Sequence, residues 1–461
     1  MAQENPDNWR DQLKALGKEY YTLQEMLRLG FLKMSEQDLA FYQAKVADLN
    51  KVSTELHSMR KSLEGVKDIT PLLKEIRKNR IERVRVARSL RKIAKEQAFA
   101  EAKTNRRARQ MATPTYLGKG VSKHLKFEGT QAERLALFDL PRVENMAELA
   151  EAMQLTPEKL HWLCFHREAS KIDHYTRFQI PKRKGGLRSI ASPKRTLRVA
   201  QQWVLENILR KIAPHSAATA FEPRASIVEN AKKHLNQALF IRIDLKDFFP
   251  SLKFHRVKGL FQSLGYNAGM ATVLGLLCTD SARIGAKLGE DQFFVALGDR
   301  YLPQGACTSP TLTNLICRKL DKRLAQFCAK QGWIYTRYAD DLMFSHAESQ
   351  TDLKPMMGLV KKIVAEEGFV INPEKTLVMR PHQRQMVTGL VVNDGELRVS
   401  KQDLKRFRAF LHQFDLDGKD KLSERLGKDA EAFGKGYWAF IRMINPTQAE
   451  KFTEKYKWLA H

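Results

Sequence analysis

The sequence predicts an α+β chain that displays its acids on a sheet and is preceded by a basic helical extension. Three observations predict it. Phe240-Ile241-Arg242-Ile243-Asp244-Leu245 is a strand-like apolar run with an acid near its end. Trp333 to Ser345 runs apolar and aromatic into Asp340-Asp341 and out again, which reads as two short strands with the carboxylates at the tight turn between them. Residues up to about 112 are nearly free of Gly and Pro and rich in Leu, Ala, Lys, Arg and Glu, a helical composition.

The chain has 461 residues, room for two or three domains, and 43% hydrophobic content permits a sizeable core. A formal net charge of +27 points to a polyanionic partner, nucleic acid ahead of an anionic membrane. There is no uninterrupted apolar run of membrane-spanning length. The polar, acidic start, Met1 to Asp7, does not read as a signal peptide. Five scattered cysteines without a Cys-x-x-Cys pair read as small buried residues in a reducing cytoplasm.

Taken in order, the extension from Trp9 to His57 reads as a helical hairpin, and Pro71 starts a further helix. That helix crowds Lys74, Arg77, Arg80, Arg83, Arg88, Arg91 and more cations against few acids. The one-signed excess predicts phosphate contact by Arg80, Arg83, Arg88 and Arg91 rather than a merely solvated face. Residues 104–130 are basic and carry Pro114, Gly118, Gly120 and Gly129, which reads as a linker or extended arm. Asn145 to Leu163 reads as two short helices, the second starting at Thr156-Pro157-Glu158. His161, Cys164 and His166 lie close together, but their spacing matches no standard zinc site.

His174 to Ile190 reads as two strands around a Gly185-Gly186 turn with basic residues on both arms. Leu197 to Ile212, Thr311 to Gln326 and Leu359 to Glu367 read as helices, the first two amphipathic. Beyond the Gly395 turn the chain is mostly helical, with Gly434 to Met443 and Pro446 to Leu459 its last two helices. The boundaries predicted are 1–112 for the extension, 113–235, 236–395 and 396–461.

Two adjacent carboxylates repel, and a divalent cation relieves them; hard oxygen ligands suit Mg²⁺. If the strand ending in Asp244 neighbours the Asp340-Asp341 hairpin, three carboxylates surround two Mg²⁺ ions. In-line nucleotidyl transfer needs that arrangement, one ion activating the attacking hydroxyl and the other holding the leaving pyrophosphate.

Tyr338-Ala339-Asp340-Asp341 is the signature of reverse transcriptases, and Leu302-Pro303-Gln304-Gly305-Ala306-Cys307-Thr308-Ser309-Pro310 resembles the block that precedes it in bacterial members. Asn230-Ala231-Lys232-Lys233-His234 resembles the Asn-Ala-x-x-His element of retron reverse transcriptases. Val387-Thr388-Gly389 resembles their Val-Thr-Gly element. The likeness runs in the expected order from about Leu137 onward. The long extension and Phe165-His166-Arg167 are most like the myxobacterial type. Two departures stand out: Arg224-Ala225 replaces a Gly-Arg, and Cys307 stands where Pro is usual.

The resemblance implies a right-hand polymerase: fingers at 113–235, a palm with a split β-α-β core at 236–395, and a helical thumb at 396–461. It implies RNA-templated DNA synthesis with Asp244, Asp340 and Asp341 as catalytic metal ligands and two Mg²⁺ per site. Leu245 would add its backbone carbonyl, and Lys375 would be a general acid for the departing pyrophosphate, with a surface lysine pairing with phosphate the alternative. Lys182 and Arg188 would clamp the dNTP triphosphate, Arg188 bidentately. Phe249 would gate the sugar against a 2′-hydroxyl, with Phe248 in the core, and Gln304 and Gly305 would line the nucleotide. Asn230, His234, Val387, Thr388 and Gly389 would contact RNA, with helix packing the alternative for Asn230 and His234. The implied partner is a cognate structured noncoding RNA serving as template and primer, joined to its DNA product through a guanosine 2′-hydroxyl. A nearby effector in anti-phage defence and no membrane complete the expectation. The alternatives are a group II intron-like or general reverse transcriptase and a non-catalytic RNA-binding module. The two retron elements weigh against the first, and the three acids against the second.

Overall fold

A computed structural model of the chain describes residues 9–63, 69–182, 185–223 and 225–460. It divides into two compact units, Met1–Lys103 and Thr104–His461. Met1 to Asp7, Arg183 and Lys184, and Arg224, which stands in the Gly-Arg position of the sequence, lie outside the described residues. Among the described residues no helix is long and apolar enough to cross a membrane, and all five cysteines are free.

The first unit is helical, as its composition predicts. Helices α1 (Trp9–Leu16), α2 (Lys18–Arg28) and α3 (Glu36–Leu63) are followed by α4 (Thr70–Ala112), which continues past the unit boundary. The Tyr20 hydroxyl accepts from Gln43 Nε2 at 2.9 Å, tying α2 to α3 as a hairpin. At 1.5 Å per residue the 43 residues of α4 reach about 65 Å. None of its described side chains is buried.

After α4 the chain is no free linker. Leu117 and Val121 are buried in the larger core, and Leu117 O accepts from the His166 amide at 2.8 Å. Apolar side chains and a backbone hydrogen bond dock this arm although its Gly and Pro content resembles a linker's. Helices α5 (Ala132–Leu137), α6 (Met146–Ala152) and α7 (Pro157–Cys164) follow. Asn145 and Thr156 cap the last two by accepting from amides of their first turns.

Strand β1 (Ala169–Ser170) precedes the hairpin β2 (Tyr175–Pro181) and β3 (Leu187–Pro193), whose turn glycines 185 and 186 both take positive φ. Then come α8 (Arg195–Asn207), α9 (Ile227–Lys232), β4 (Leu239–Leu245), α10 (Phe248–Ser251), α11 (Phe254–Ser263) and α12 (Ala268–Cys278). A long hairpin, β5 (Asp280–Leu288) and β6 (Asp291–Tyr301), pairs with β1 as a separate sheet. The single helix expected behind the Gln304-Gly305 block is two, α13 (Ser309–Ile316) and α14 (Arg318–Lys330), meeting at Cys317. Next are β7 (Ile334–Tyr338), β8 (Asp341–His346), α15 (Leu353–Glu366), β9 (Ile371–Met379) and the small hairpin β10 (Met386–Val387) and β11 (Leu390–Val391). Helices α16 (Lys401–Leu426, kinked at Gly418), α17 (Ala430–Ile444) and α18 (Pro446–Lys455) end the described chain.

The sheet β7-β8-β4-β9 positions the site. Side chains alternate faces along a strand, and every residue of β4 except Arg242 is buried. Leu239, Ile241, Ile243 and Leu245 point into the larger core with Leu342 and Phe344 of β8. The opposite face carries Phe240, Arg242 and Asp244, with Met343 and Ser345 alongside. Phe240 and Met343 pack there in a second core made with α9, the β10–β11 hairpin and the C-terminal helices. That core covers only the end of the face remote from the acids.

Candidate active site

Antiparallel pairing sets Asp244 of β4 directly opposite Asp341, the first residue of β8. Tyr338 and Asp341 pair across β7 and β8, so Ala339 and Asp340 form a two-residue turn. Ala339 has φ 57°, a conformation that a Cβ disfavours. Its surroundings over-determine that turn. The Leu245 amide donates to Asp340 O at 3.0 Å, joining the turn to the end of β4. From beneath, the fully buried Arg337 donates to Ala339 O at 3.2 Å. Arg337 is itself fixed on Asp321 by bonds of 2.8 and 2.7 Å, and the Tyr335 hydroxyl donates to the same carboxylate at 2.9 Å. A buried ion pair is tolerated when its polar atoms are so satisfied.

The chain's own cations balance the carboxylates. Lys375 Nζ lies 2.8 Å from Asp244 Oδ1, and Asn372 Nδ2 lies 3.4 Å from Oδ2. Arg242 donates to both oxygens of Asp341, at 2.9 and 2.8 Å. Burial raises the Asp340 carboxyl above its ordinary range, and the Asp341 charge adds to the effect. Burial raises Asp341 too, while Arg242 opposes the rise. The hydrogen bond to Asp244 holds the Lys375 ammonium above its ordinary value. Crowded, partly buried oxygen donors fit a hard divalent cation, which would relieve both burial and repulsion. Asp244, Asp340 and Asp341 are the residues that would hold it. Among the described residues no three His, Cys, Asp or Glu side chains already close into a ligand set; Arg242 and Lys375 each hold one carboxylate instead. Neither Arg242 nor Asn372 is foreseen in the sequence. The period of two along β4 would have found Arg242, which shares a face with Asp244.

The other expected nucleotide residues fall on two supports. Lys182 and Arg188 lie exposed on the β2–β3 hairpin, near its tip. The base of β3 is fastened to the Gln304-Gly305 block, because the Ala191 amide donates to Gln304 O at 2.7 Å. Gly305 has φ 114°, and a Cβ there would stand 2.8 Å from Ala191 O, so only glycine allows the approach. Phe248 is buried against Phe369, whereas Phe249 is half-buried with Phe221 beside it, ring centroids 6.3 Å apart.

Three expected RNA contacts are corrected. His234 is fully buried, with its ring nitrogens 2.7 Å from Ser345 Oγ and 2.8 Å from Thr336 Oγ1. Burial, with the charge of Lys233 beside it, pushes its pKa down to about 4, so the ring is neutral. Asn230 is also buried, and neither of its amide atoms finds a hydrogen-bond partner among the described residues. Val387 is a core side chain with no exposed area. Thr388 and Gly389, the turn of the β10–β11 hairpin, remain accessible. His161, Cys164 and His166 make no metal set: Cys164 is buried and His166 pairs with Arg300 at 3.1 Å.

A sheet that ends in three carboxylates, in a chain that also exposes a basic hairpin, suits nucleotidyl transfer. The reverse transcriptase (RNA-dependent DNA polymerase) family profile matches residues 180–403. Retron Mx162 reverse transcriptase of Myxococcus xanthus is 39% identical over 78% of this chain and 79% of its own length. Retron Mx65 reverse transcriptase of the same organism is 38% identical over 70% and 74%. A telomerase structure from Candida albicans aligns with TM-score 0.36 and 13% identity over 58% of this chain and 56% of that one. The chain belongs to the retron reverse transcriptases. It is an RNA-directed DNA polymerase that binds an RNA template and its DNA product. Its family uses divalent metal ions.

Proposed function

We propose that the enzyme copies its own structured noncoding RNA, starting DNA from a guanosine 2′-hydroxyl in that RNA and leaving a branched RNA–DNA product. The register Asp244↔Asp341, with Asp340 at the adjoining turn, supports the nucleotidyl transfer in this reading; the RNA primer and the branch rest on the likeness to retron enzymes. That register brings the acids of two distant motifs together on one sheet edge. When bound there, Mg²⁺ would lower the pKa of the attacking hydroxyl and neutralise charge on the leaving pyrophosphate. Asp244, Asp340 and Asp341 hold the carboxylate oxygens, with the Leu245 carbonyl beside them. Lys375 stands ready to give a proton or a charge to the pyrophosphate. Arg188 and Lys182 take the triphosphate from above, Gln304 and Gly305 line its base side, and Phe249 closes the space where a 2′-hydroxyl would sit.

The exposed turn Thr388-Gly389 and the cationic face of α4 supply RNA contacts outside the catalytic sheet. The winding of α4 refines that reading. Arg80, Arg88 and Arg91 fall on the half of the helix that bears most other Lys and Arg, whereas Arg83 falls toward Leu72, Ile76 and Leu90. Anti-phage defence with a separately encoded effector is the biological setting we assign, by likeness to the family. The experiment is synthesis on the RNA encoded beside the gene. Branched product whose DNA is released from RNA by a debranching enzyme supports the reading, and linear product only rejects it.

A further inference from the structure

Helix α9 stands between the β10–β11 hairpin and the strands of the carboxylate hairpin, and the turn of each hairpin holds a non-glycine residue at positive φ. One is the Ala339 turn of the carboxylate hairpin, φ 57°; the other is Thr388, φ 46°. Thr388 is β-branched, for which this conformation is an outlier. Its hydroxyl donates to Ile227 O, the first residue of α9, at 3.2 Å. Just past the other end of α9, His234 bridges both strands of the carboxylate hairpin, Thr336 on β7 and Ser345 on β8. Thr336 and Ser345 lie on the sheet face that also carries Asp341, by the alternation of β7 and β8. A neutral imidazole gives one donor and one acceptor, and either hydroxyl can take the complementary role. Val228 and Ala231 are buried beside Val387 and Leu390 in the second core, so the helix is clamped along its length.

We infer that His234 is a positioning residue for DNA synthesis: it fixes the hairpin that bears Asp340 and Asp341 onto α9, the support on which the Thr388 turn also sits. The claim about His234 stands without the proposed RNA role of Thr388; only the shared support rests on that reading. His234 touches neither substrate nor template. It acts through Thr336 and Ser345, by holding the two strands at one separation and twist behind the carboxylates.

The test is single-nucleotide incorporation on a generic RNA template with a DNA primer, where cognate RNA recognition plays no part. kcat and the KM for dNTP are measured beside the affinity for the RNA encoded next to the gene. His234→Ala is expected to lower kcat about ten- to a hundredfold, the effect of slight misplacement of reacting groups, with KM and RNA affinity held within about twofold. His234→Asn leaves a polar atom near the place of Nδ1 and His234→Gln one near Nε2, so each should recover part of the loss. Thr336→Val should lower kcat in the wild type and add little in the His234→Ala background. A folded His234→Ala with wild-type kcat overturns the inference. So does a drop in RNA affinity with kcat intact, which would make His234 an RNA contact, or full additivity with Thr336→Val. If His234→Ala does not fold, Thr336→Val and Ser345→Ala decide: a lower kcat at unchanged KM upholds the inference, and wild-type kcat in both rejects it.

Discussion

Arg242 holds Asp341 from the neighbouring strand, its guanidinium donating to both carboxylate oxygens at 2.9 and 2.8 Å. The cation opposes the rise that burial gives the Asp341 carboxyl. Removing it leaves that rise opposed only by the charge of Lys375, so at any given pH more of Asp341 is protonated and unable to bind a cation. Arg242→Gln should therefore move the acid limb of the kcat–pH profile to higher pH. The profile of the variant against wild type checks this. A limb that stays in place, or moves to lower pH, contradicts it.

Phe249 sits half-buried where α10 follows the Asp244 strand, while its neighbour Phe248 is part of the core. In the proposed role, the Phe249 ring would clash with a 2′-hydroxyl and so exclude the wrong sugar. Phe249→Val should raise ribonucleotide incorporation relative to deoxynucleotide by about tenfold or more. Competition between the two nucleotides on one template measures it. Unchanged discrimination with activity retained removes Phe249 from the role.

The sequence displays the catalytic geometry well because its parts are local. An apolar run closing on Asp244, and two apolar strands around Asp340-Asp341, each carry their own period. The helical extension, the β2–β3 hairpin and the caps at Asn145 and Thr156 are equally local. What escapes is set by partners far along the chain. His234 is a polar residue in a lysine-rich stretch, and only Thr336 and Ser345, about a hundred residues later, make it interior. Arg337 is buried for the same kind of reason, through Asp321. Leu117 and Val121 anchor an arm whose glycines suggest a linker. The β5–β6 hairpin stands on residues whose apolar alternation is interrupted by Gly285 and Gly298, and its turn is carried by Gly289-Glu290.

Thr388 is the residue to vary in the Val-Thr-Gly element, since Val387 is core. Thr388→Asn keeps a side chain that tolerates positive φ but changes the face offered to RNA. His234 still pins α9 in that variant. Branched product on the cognate RNA should fall about tenfold or more, while extension of a generic primer–template stays within about twofold. Equal losses on both substrates would assign the turn a structural role.

The cationic half of α4 predicts a salt signature. Each phosphate interaction removed should lower the slope of log affinity against log salt by roughly 0.7 to 0.9. Arg80, Arg88 and Arg91 changed together to Gln should weaken RNA binding and flatten that slope, while Arg83→Gln changes little. Affinities at several salt concentrations test this. Unchanged slope and affinity in the triple variant would move α4 from RNA binding to protein contact.

Primer extension by Asp340→Asn tests the central claim, that three carboxylates at the sheet edge carry DNA synthesis. The substitution keeps the shape of the turn and removes one charge from the cation site. RNA affinity and melting temperature are followed in the same preparation. The account predicts synthesis reduced by about a thousandfold or more with RNA binding retained. Synthesis near the wild-type rate would contradict it.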